Sequence, residues 1–277
     1  MTSTPPTSGV AWLAINLDRS PERLAELAGR LDALAIDWMR VPAIDGRRLA
    51  LPLPGVDAGY YRAHHGRELL PDEVGCFLSH LRAMTAFLAL PARYAVVLED
   101  DARVTPQAVR LVRTLTAEGA RDDWDLVKLE AHHGAVGLPI RRLAEGARLC
   151  ALPLRSAGSA AYLVNRVGAA ALLDRLPPMR FPYDHAFDRA WDLRIRVRAV
   201  LPLPIEAPRA TSTISRAGTA ARKQAPWQIR AQTKSMRLLA GLAAWAFPAR
   251  PFPARSASAP GAERLFDQVE QAIAGQA

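Results

Sequence analysis

Tyr94-Ala95-Val96-Val97-Leu98-Glu99-Asp100-Asp101 is the stretch from which the rest of the chain is read. An apolar run containing two valines ends abruptly in three acids. The run is too short for a helix and has no polar face, so it reads as a buried strand. Charge at the end of such a strand is expensive to hold unless something neutralises it. Two adjacent carboxylates at a strand's C-terminal edge suit a hard divalent cation with oxygen ligands, Mg²⁺ or Mn²⁺, which keeps positions open for substrate phosphates. The same edge is where open α/β folds bind their ligands. The alternative is a strand stopped by a solvated acidic turn.

Working outward, residues 10–17 form another short apolar run, ending in the loop Asn16-Leu17-Asp18-Arg19-Ser20. Ser20-Pro21-Glu22-Arg23 starts a helix, with Ser at the N-cap, Pro at the first helical position and an acid in the first turn. Leu24, Leu27, Leu31 and Leu34 continue it at helical spacing. Residues 36–41 read as a second strand, with Asp45-Gly46 as a turn after it. Residues 51–67, broken by Pro52, Pro54, Gly55 and Gly59, read as irregular. Asp72 is expected to cap a helix over 73–90, with Val74, Phe77, Leu78, Leu81 and Met84 on its apolar stripe. Thr105-Pro106 opens a helix to about residue 115. Residues 124–129, 160–164 and 197–202 read as strands, and Ala169, Leu172, Leu173 and Leu176 mark a helix between the last two. Residues 132–149 read only as a basic loop near the active face. Strands alternating with helices predict an α/β fold, an open and mostly parallel sheet flanked by helices.

Half of the residues are apolar, enough for a sizeable core. The two cysteines, Cys76 and Cys150, are far apart and offer neither a disulfide framework nor zinc-finger spacing, so reduced thiols are expected. Residues 1–9 are polar, without a basic or an apolar region of signal type, and are expected to be disordered. No apolar run approaches the ~20 residues needed to span a bilayer. A cytoplasmic location follows as the expectation. The net charge of +9 suits anionic partners such as nucleotide phosphates or lipid headgroups. Nucleic acid would need a recognition motif, and none stands out. The domain is expected to fill residues 10–215. Residues 216–277 read as a basic helical tail, with a Pro-rich linker at 248–260. Its mixture of Arg and Lys with Trp, Leu and Phe over 227–255 fits contact with an anionic membrane, or packing on the domain.

Four segments carry a resemblance. They are Ile15-Asn16-Leu17-Asp18-Arg19-Ser20-Pro21-Glu22-Arg23, Val41-Pro42-Ala43-Ile44-Asp45-Gly46, Glu73-Val74-Gly75-Cys76-Phe77-Leu78-Ser79-His80, and the acidic strand itself. Their order and spacing resemble glycosyltransferase family 25, the lipooligosaccharide (LPS) biosynthesis family. Pro182-Tyr183-Asp184-His185 with Asp188, and Thr211-Ser212-Thr213-Ile214, look like later pieces of the same pattern. The resemblance implies a GT-A-type, Rossmann-like fold. It implies transfer of a sugar, commonly galactose, from a UDP-sugar donor to a glycolipid or glycan acceptor with metal help. It makes Glu99-Asp100-Asp101 the family's variant of an Asp-x-Asp motif. Asp101 is then the direct metal ligand, Asp100 binds metal or the donor's sugar or ribose, and Glu99 joins them or orients a neighbour.

Each position also has a physical reading. Backbone amides of the Asn16–Leu17 loop, at a helix N-terminus, can hold base or phosphate. Arg19 and Arg23 can pair with a diphosphate or with Asp18. Asp45 belongs to a donor site or simply to its turn, and His80 lines the donor site or packs. Cys76 reads as core. Asp184 and Asp188, four apart, share a helical face, and paired carboxylates can divide the work of base and orienter. Their alternative is a helix start ion-paired to Arg189 or Arg194. Ser156, Gly158 and Ser159 form a small-residue loop that lets an acceptor sugar approach the backbone. A non-catalytic relative is disfavoured because the acids, Arg23 and His80 are all present. A metal-dependent phosphohydrolase would need further acidic ligands for a second cation.

Overall fold

The computed structural model describes residues 9–207 except 119, 133–134 and 154–155, together with residue 271. The basic tail, the Thr211–Ile214 piece and residues 1–8 of the expected disordered N-terminus fall outside the described residues, residue 271 apart. In chain order the elements are β1 (Val10–Asn16), α1 (Pro21–Ala33), β2 (Trp38–Pro42), α2 (Ala58–His65), α3 (Pro71–Ala89), β3 (Tyr94–Glu99), α4 (Pro106–Thr116), β4 (Leu126–Lys128), β5 (Leu138–Arg142), β6 (Arg148–Ala151), β7 (Ala161–Asn165), α5 (Arg166–Arg175), α6 (Tyr183–Phe187), α7 (Ala190–Leu193) and β8 (Val197–Leu201). Short 3-10 turns occupy Gly46–Arg48 and Ala144–Gly146.

One sheet runs β2-β1-β3-β7-β4-β8-β6-β5. Both its faces are covered, which is why its central strands are apolar runs rather than alternating ones. Leu13 and Ile15 of β1 and Ala95 and Val97 of β3 face a core shared with α3, α5 and α6. Trp12, Ala14, Val96 and Leu98 face the opposite core, with Leu27 and Leu31 of α1 and Leu111, Val112 and Leu115 of α4. Among the described residues no helix is long and apolar enough to cross a membrane.

The expected α/β sheet with flanking helices is present, but its strands are mixed in direction. β1 pairs in parallel with β2 and β3, and β4 with β8. β7 lies antiparallel between β3 and β4, and β6 is antiparallel to β5 and β8. A strand buried on both faces carries no mark of its direction. The stretch 132–149, read as a basic loop near the active face, instead supplies most of a hairpin, β5 and β6, at the far edge of the sheet. The irregular stretch contains α2, which starts where the Asp57 side chain accepts a hydrogen bond from Tyr60 N at 3.0 Å. Helix α3 begins one residue before its expected cap. Pro71 takes the first helical position, Leu70 is the N-cap, and the Glu73 carboxylate accepts from Leu70 N at 3.2 Å.

Two of the sequence segments are locked together. Gly46 sits against the backbone of Pro71 and Asp72, and Gly75 sits against Ile44 and Gly46. Ile44 N donates to Ser79 Oγ at 2.8 Å, and Ser79 Oγ donates to Gly75 O at 2.6 Å. A β-carbon on Gly75 would stand 2.5 Å from Ile44 O and 2.8 Å from Gly46 N. Both neighbours are backbone and cannot step aside. Gly75→Ala is therefore expected to cost about 1–3 kcal/mol in urea unfolding. Gly29→Ala in α1, where a β-carbon meets nothing within 4 Å, is expected to be neutral or to gain up to about 1 kcal/mol.

Candidate active site

The parallel register sets Ile15 beside Glu99, so Asn16 and Asp100 emerge side by side at the C-terminal edge of the sheet. Asn16 Nδ2 donates to Asp100 Oδ2 at 2.7 Å and to Ser20 O at 2.9 Å. Arg23, on the first turn of α1, reaches the same place. It ion-pairs with Asp100, and its Nη2 lies 3.2 Å from Asp101 Oδ2. Asp101 Oδ1 is buried with no hydrogen-bond partner among the described residues. Burial, reinforced by the charge of Glu99, pushes the Asp101 carboxyl up to about 7. Burial also raises Asp100, against the opposing pull of Asn16 and Arg23. A buried carboxylate oxygen without a donor, beside a second carboxylate, is the donor set a hard cation requires. Asp100 and Asp101 thus fit Mg²⁺ or Mn²⁺.

Glu99 points to different partners. Its Oε1 accepts from Ser159 Oγ at 2.9 Å and lies 3.2 Å from His80 Nε2. Burial would raise its carboxyl, but the His80 hydrogen bond and charge, with Ser159, hold it below the usual value. His80 is buried beneath the site rather than lining it. Its Nδ1 lies 3.1 Å from Tyr162 OH, which lies 3.0 Å from Tyr183 OH, and the Tyr183 ring stacks on the imidazole at 4.0 Å.

The other residues singled out in the sequence fall into two groups. Asp45, Arg19 and Leu17 lie in the rim loops. Arg19 Nε pairs with Asp45 Oδ2 at 2.7 Å, and Asp45 accepts from Arg47 N at 3.1 Å. Burial pushes Asp45 up, but those contacts outweigh it and hold the carboxyl low. Leu17 O accepts from Ser20 N at 2.9 Å, closing the turn into α1. The second group gathers around residues 156–160. Asp188 accepts from Ser156 N at 2.9 Å, from Ala157 N at 2.8 Å and from Lys128 Nζ at 2.6 Å. Its carboxylate is fully engaged, and Arg189, its alternative partner, pairs with Asp192 instead. Asp184 accepts one long hydrogen bond, from Gly158 N at 3.4 Å, has His185 Nε2 4.0 Å away, and remains partly exposed. Ser156 and Ser159 are buried, so here they hold carboxylates.

Two residues of this cluster were not singled out in the sequence. Lys128, on β4, is fully buried, with its Nζ also donating to Ala157 O at 2.9 Å and lying 4.7 Å from the centre of the Phe187 ring. Glu130 lies just past β4 and is almost fully buried, accepting from Ala160 N at 3.3 Å. Gly158, at φ +83°, lies so close that a β-carbon there would stand 2.6 Å from Glu130 Oε2. Burial drives the Glu130 carboxyl up to about 7, with the charge of Glu99 adding to it. The available signal was Leu126-Val127-Lys128-Leu129-Glu130, an apolar strand ending in an acid like the 94–101 stretch.

Residues 11–187 match the family model described as Glycosyltransferase family 25 (LPS biosynthesis protein). A glycosyltransferase 25 family member of Aedes aegypti is 37% identical over 119 residues, covering 41% of this chain and 20% of that protein. Procollagen galactosyltransferase 1-A of Xenopus laevis is 30% identical over 186 residues, 64% of this chain and 30% of that protein. An inactive glycosyltransferase 25 family member 3 of Mus musculus is 35% identical over 122 residues, 42% of this chain and 21% of that protein. The alignments thus span between a fifth and a third of these relatives' lengths.

Lys128→Met leaves the buried Asp188 charge uncompensated, and chemical denaturation is expected to show a loss of about 3–5 kcal/mol. Glu130 gives a pH signature. Its folded value lies above the ordinary glutamate value of 4.5, so the stability it contributes is complete below that pH. That contribution is lost as pH rises through about 7. Glu130→Gln lacks this loss, so its stability relative to wild type is expected to improve by about 2 kcal/mol between pH 4.5 and 7.

Proposed function

The chain belongs to glycosyltransferase family 25, and on that premise we propose that it moves a hexose, galactose foremost, from a UDP-sugar to a hydroxyl of a lipooligosaccharide or other cell-envelope glycan. The observation that carries the reading is the buried, unpartnered Oδ1 of Asp101 beside Asp100 at the sheet's C-terminal edge. Asp101 would hold the divalent cation, with Asp100 as second oxygen donor. When bound, Mn²⁺ or Mg²⁺ neutralises negative charge on the donor's diphosphate.

The protein's own groups do the rest. Arg23 is half-exposed and already beside both acids, where its guanidinium can turn to a phosphate oxygen. Asn16 fixes the orientation of Asp100, and His80 with Ser159 fixes Glu99. Rim residues Leu17, Arg19 and Asp45 border the donor's seat. In an inverting transfer, the acceptor oxygen attacks the anomeric carbon while UDP departs, and a base takes the hydroxyl proton. Asp184 suits that role because its carboxylate is accessible and lightly held. Asp188, saturated by Lys128 and two amides, sets the position of the loop carrying Gly158. Galactose is favoured because relatives at 30–32% identity are named procollagen galactosyltransferases. The acceptor class follows the family description, and the proposed place of action is the cytoplasmic face of the membrane.

A non-catalytic role is the second reading, favoured by the relatives named as inactive. UDP release from a panel of UDP-sugars, with Mn²⁺ and with EDTA, separates the two. The expected outcome is metal-dependent release from UDP-galactose, abolished in Asp101→Asn. Asp184→Asn is expected to lower turnover by about 10²–10⁴ while leaving UDP binding by calorimetry unchanged. Neither turnover nor UDP binding with any donor would establish the non-catalytic role.

A further inference from the structure

Cys76 and His80 are one turn apart on α3 and share a face. Across from them stands Glu99 at the end of β3. A thiol sulfur, an imidazole nitrogen and a carboxylate oxygen from these three residues lie within 4.8 Å of one another. In a tetrahedral zinc site, bonds of about 2.0–2.3 Å place neighbouring ligand atoms roughly 3.3–3.8 Å apart. The three groups need only a small inward movement to reach that spacing. We propose that Cys76, His80 and Glu99 form a seat for one borderline-soft divalent cation, Zn²⁺, separate from the all-oxygen pair Asp100 and Asp101.

The donor set is what separates the two seats. Sulfur and imidazole favour Zn²⁺, whereas carboxylates alone favour Mg²⁺ or Mn²⁺. Three protein ligands on a tetrahedral ion leave one position for water or another ligand. The supporting contacts are those a zinc-bound histidine needs. His80 Nδ1 lies 3.1 Å from Tyr162 OH, so the Nδ1–H tautomer can donate there and leave the Nε2 lone pair for the metal. Tyr183, stacked on the ring at 4.0 Å with an interplanar angle of 4°, fixes its plane. Ser159 Oγ holds Glu99 from the side at 2.9 Å.

The exchange balances simply. Zn²⁺ bonds to the Cys76 sulfur, whose proton leaves to solvent. The His80 Nε2 proton is absent in the metal-binding tautomer, so the hydrogen bond to Glu99 gives way to a metal bond from each partner. Burial raises the Cys76 thiol well above its usual value, so the metal-free site holds the proton until a cation displaces it. This inference does not rest on sugar transfer.

Cobalt is the optical probe for the test. The full-length chain titrated with Co²⁺ is expected to develop a thiolate-to-cobalt charge-transfer absorption, saturating near one equivalent and abolished by added Zn²⁺. Cys76→Ser is expected to lose that band and to weaken Zn²⁺ binding, read by calorimetry, roughly tenfold or more. Cys150→Ser removes the protein's other thiol and is expected to keep the band. Asp101→Asn is also expected to keep it, since oxygen ligands give no sulfur absorption. Circular dichroism checks that each variant is folded. No band in folded wild type, or a band that survives Cys76→Ser, would overturn the proposal.

Discussion

Residues 156–160 cross the C-terminal edge of the sheet, and every one of them holds a carboxylate from another element. Ser156 and Ala157 give their N–H groups to Asp188, and Gly158 gives its N–H to Asp184. Ser159 gives its hydroxyl to Glu99, and Ala160 its N–H to Glu130. Acids from β3, from the end of β4 and from α6 and its C-cap are thereby fixed by one short segment. Backbone donors suit this task because they are already positioned by the chain and need no side-chain ordering. The antiparallel direction of β7 makes it possible. Entering between β3 and β4 from their C-terminal ends, it brings its preceding loop to the place where both strands release their acids.

So much negative charge in a small buried volume must be balanced. Lys128 neutralises Asp188 from inside, and its burial is tolerable because Asp188, Ala157 O and the Phe187 ring all receive it. Arg23 covers Asp100 and Asp101 from outside on a half-exposed stem. The difference in exposure divides their roles. A cation sealed against its partner sets geometry, whereas a cation at the surface can exchange its partner for a phosphate. Among the described residues Glu130 has one long hydrogen bond and no ion-paired cation, and its carboxyl accordingly favours the proton near neutral pH.

Several residues that mark the family pattern serve packing rather than chemistry. Gly46 and Gly75 come from segments distant in sequence and allow one backbone to lie on the other. Glu73 caps its own helix while binding Tyr61 OH at 2.8 Å and the Arg67 guanidinium, tying α2 to α3. The order of the motifs along the chain thus reflects a set of contacts that close around the site, and only some of those contacts lie at the reacting end.

The sequence by itself determined the strands β1, β3, β4, β7 and β8, the proline-initiated starts of α1 and α4, and the acids at the end of β3. These are local signals: a short apolar run, a residue with fixed φ, a charge where the core ends. The direction of β7, the 138–151 hairpin, the Lys128–Asp188 pair and the placing of Glu130 were decided only by the tertiary structure. Strands buried on both faces lack the alternation that would reveal register or direction. The partners of a buried charge are chosen across the sheet, from residues 60 positions away in the case of Lys128 and Asp188. Local composition can state that a charge needs a partner; only packing selects which one it receives.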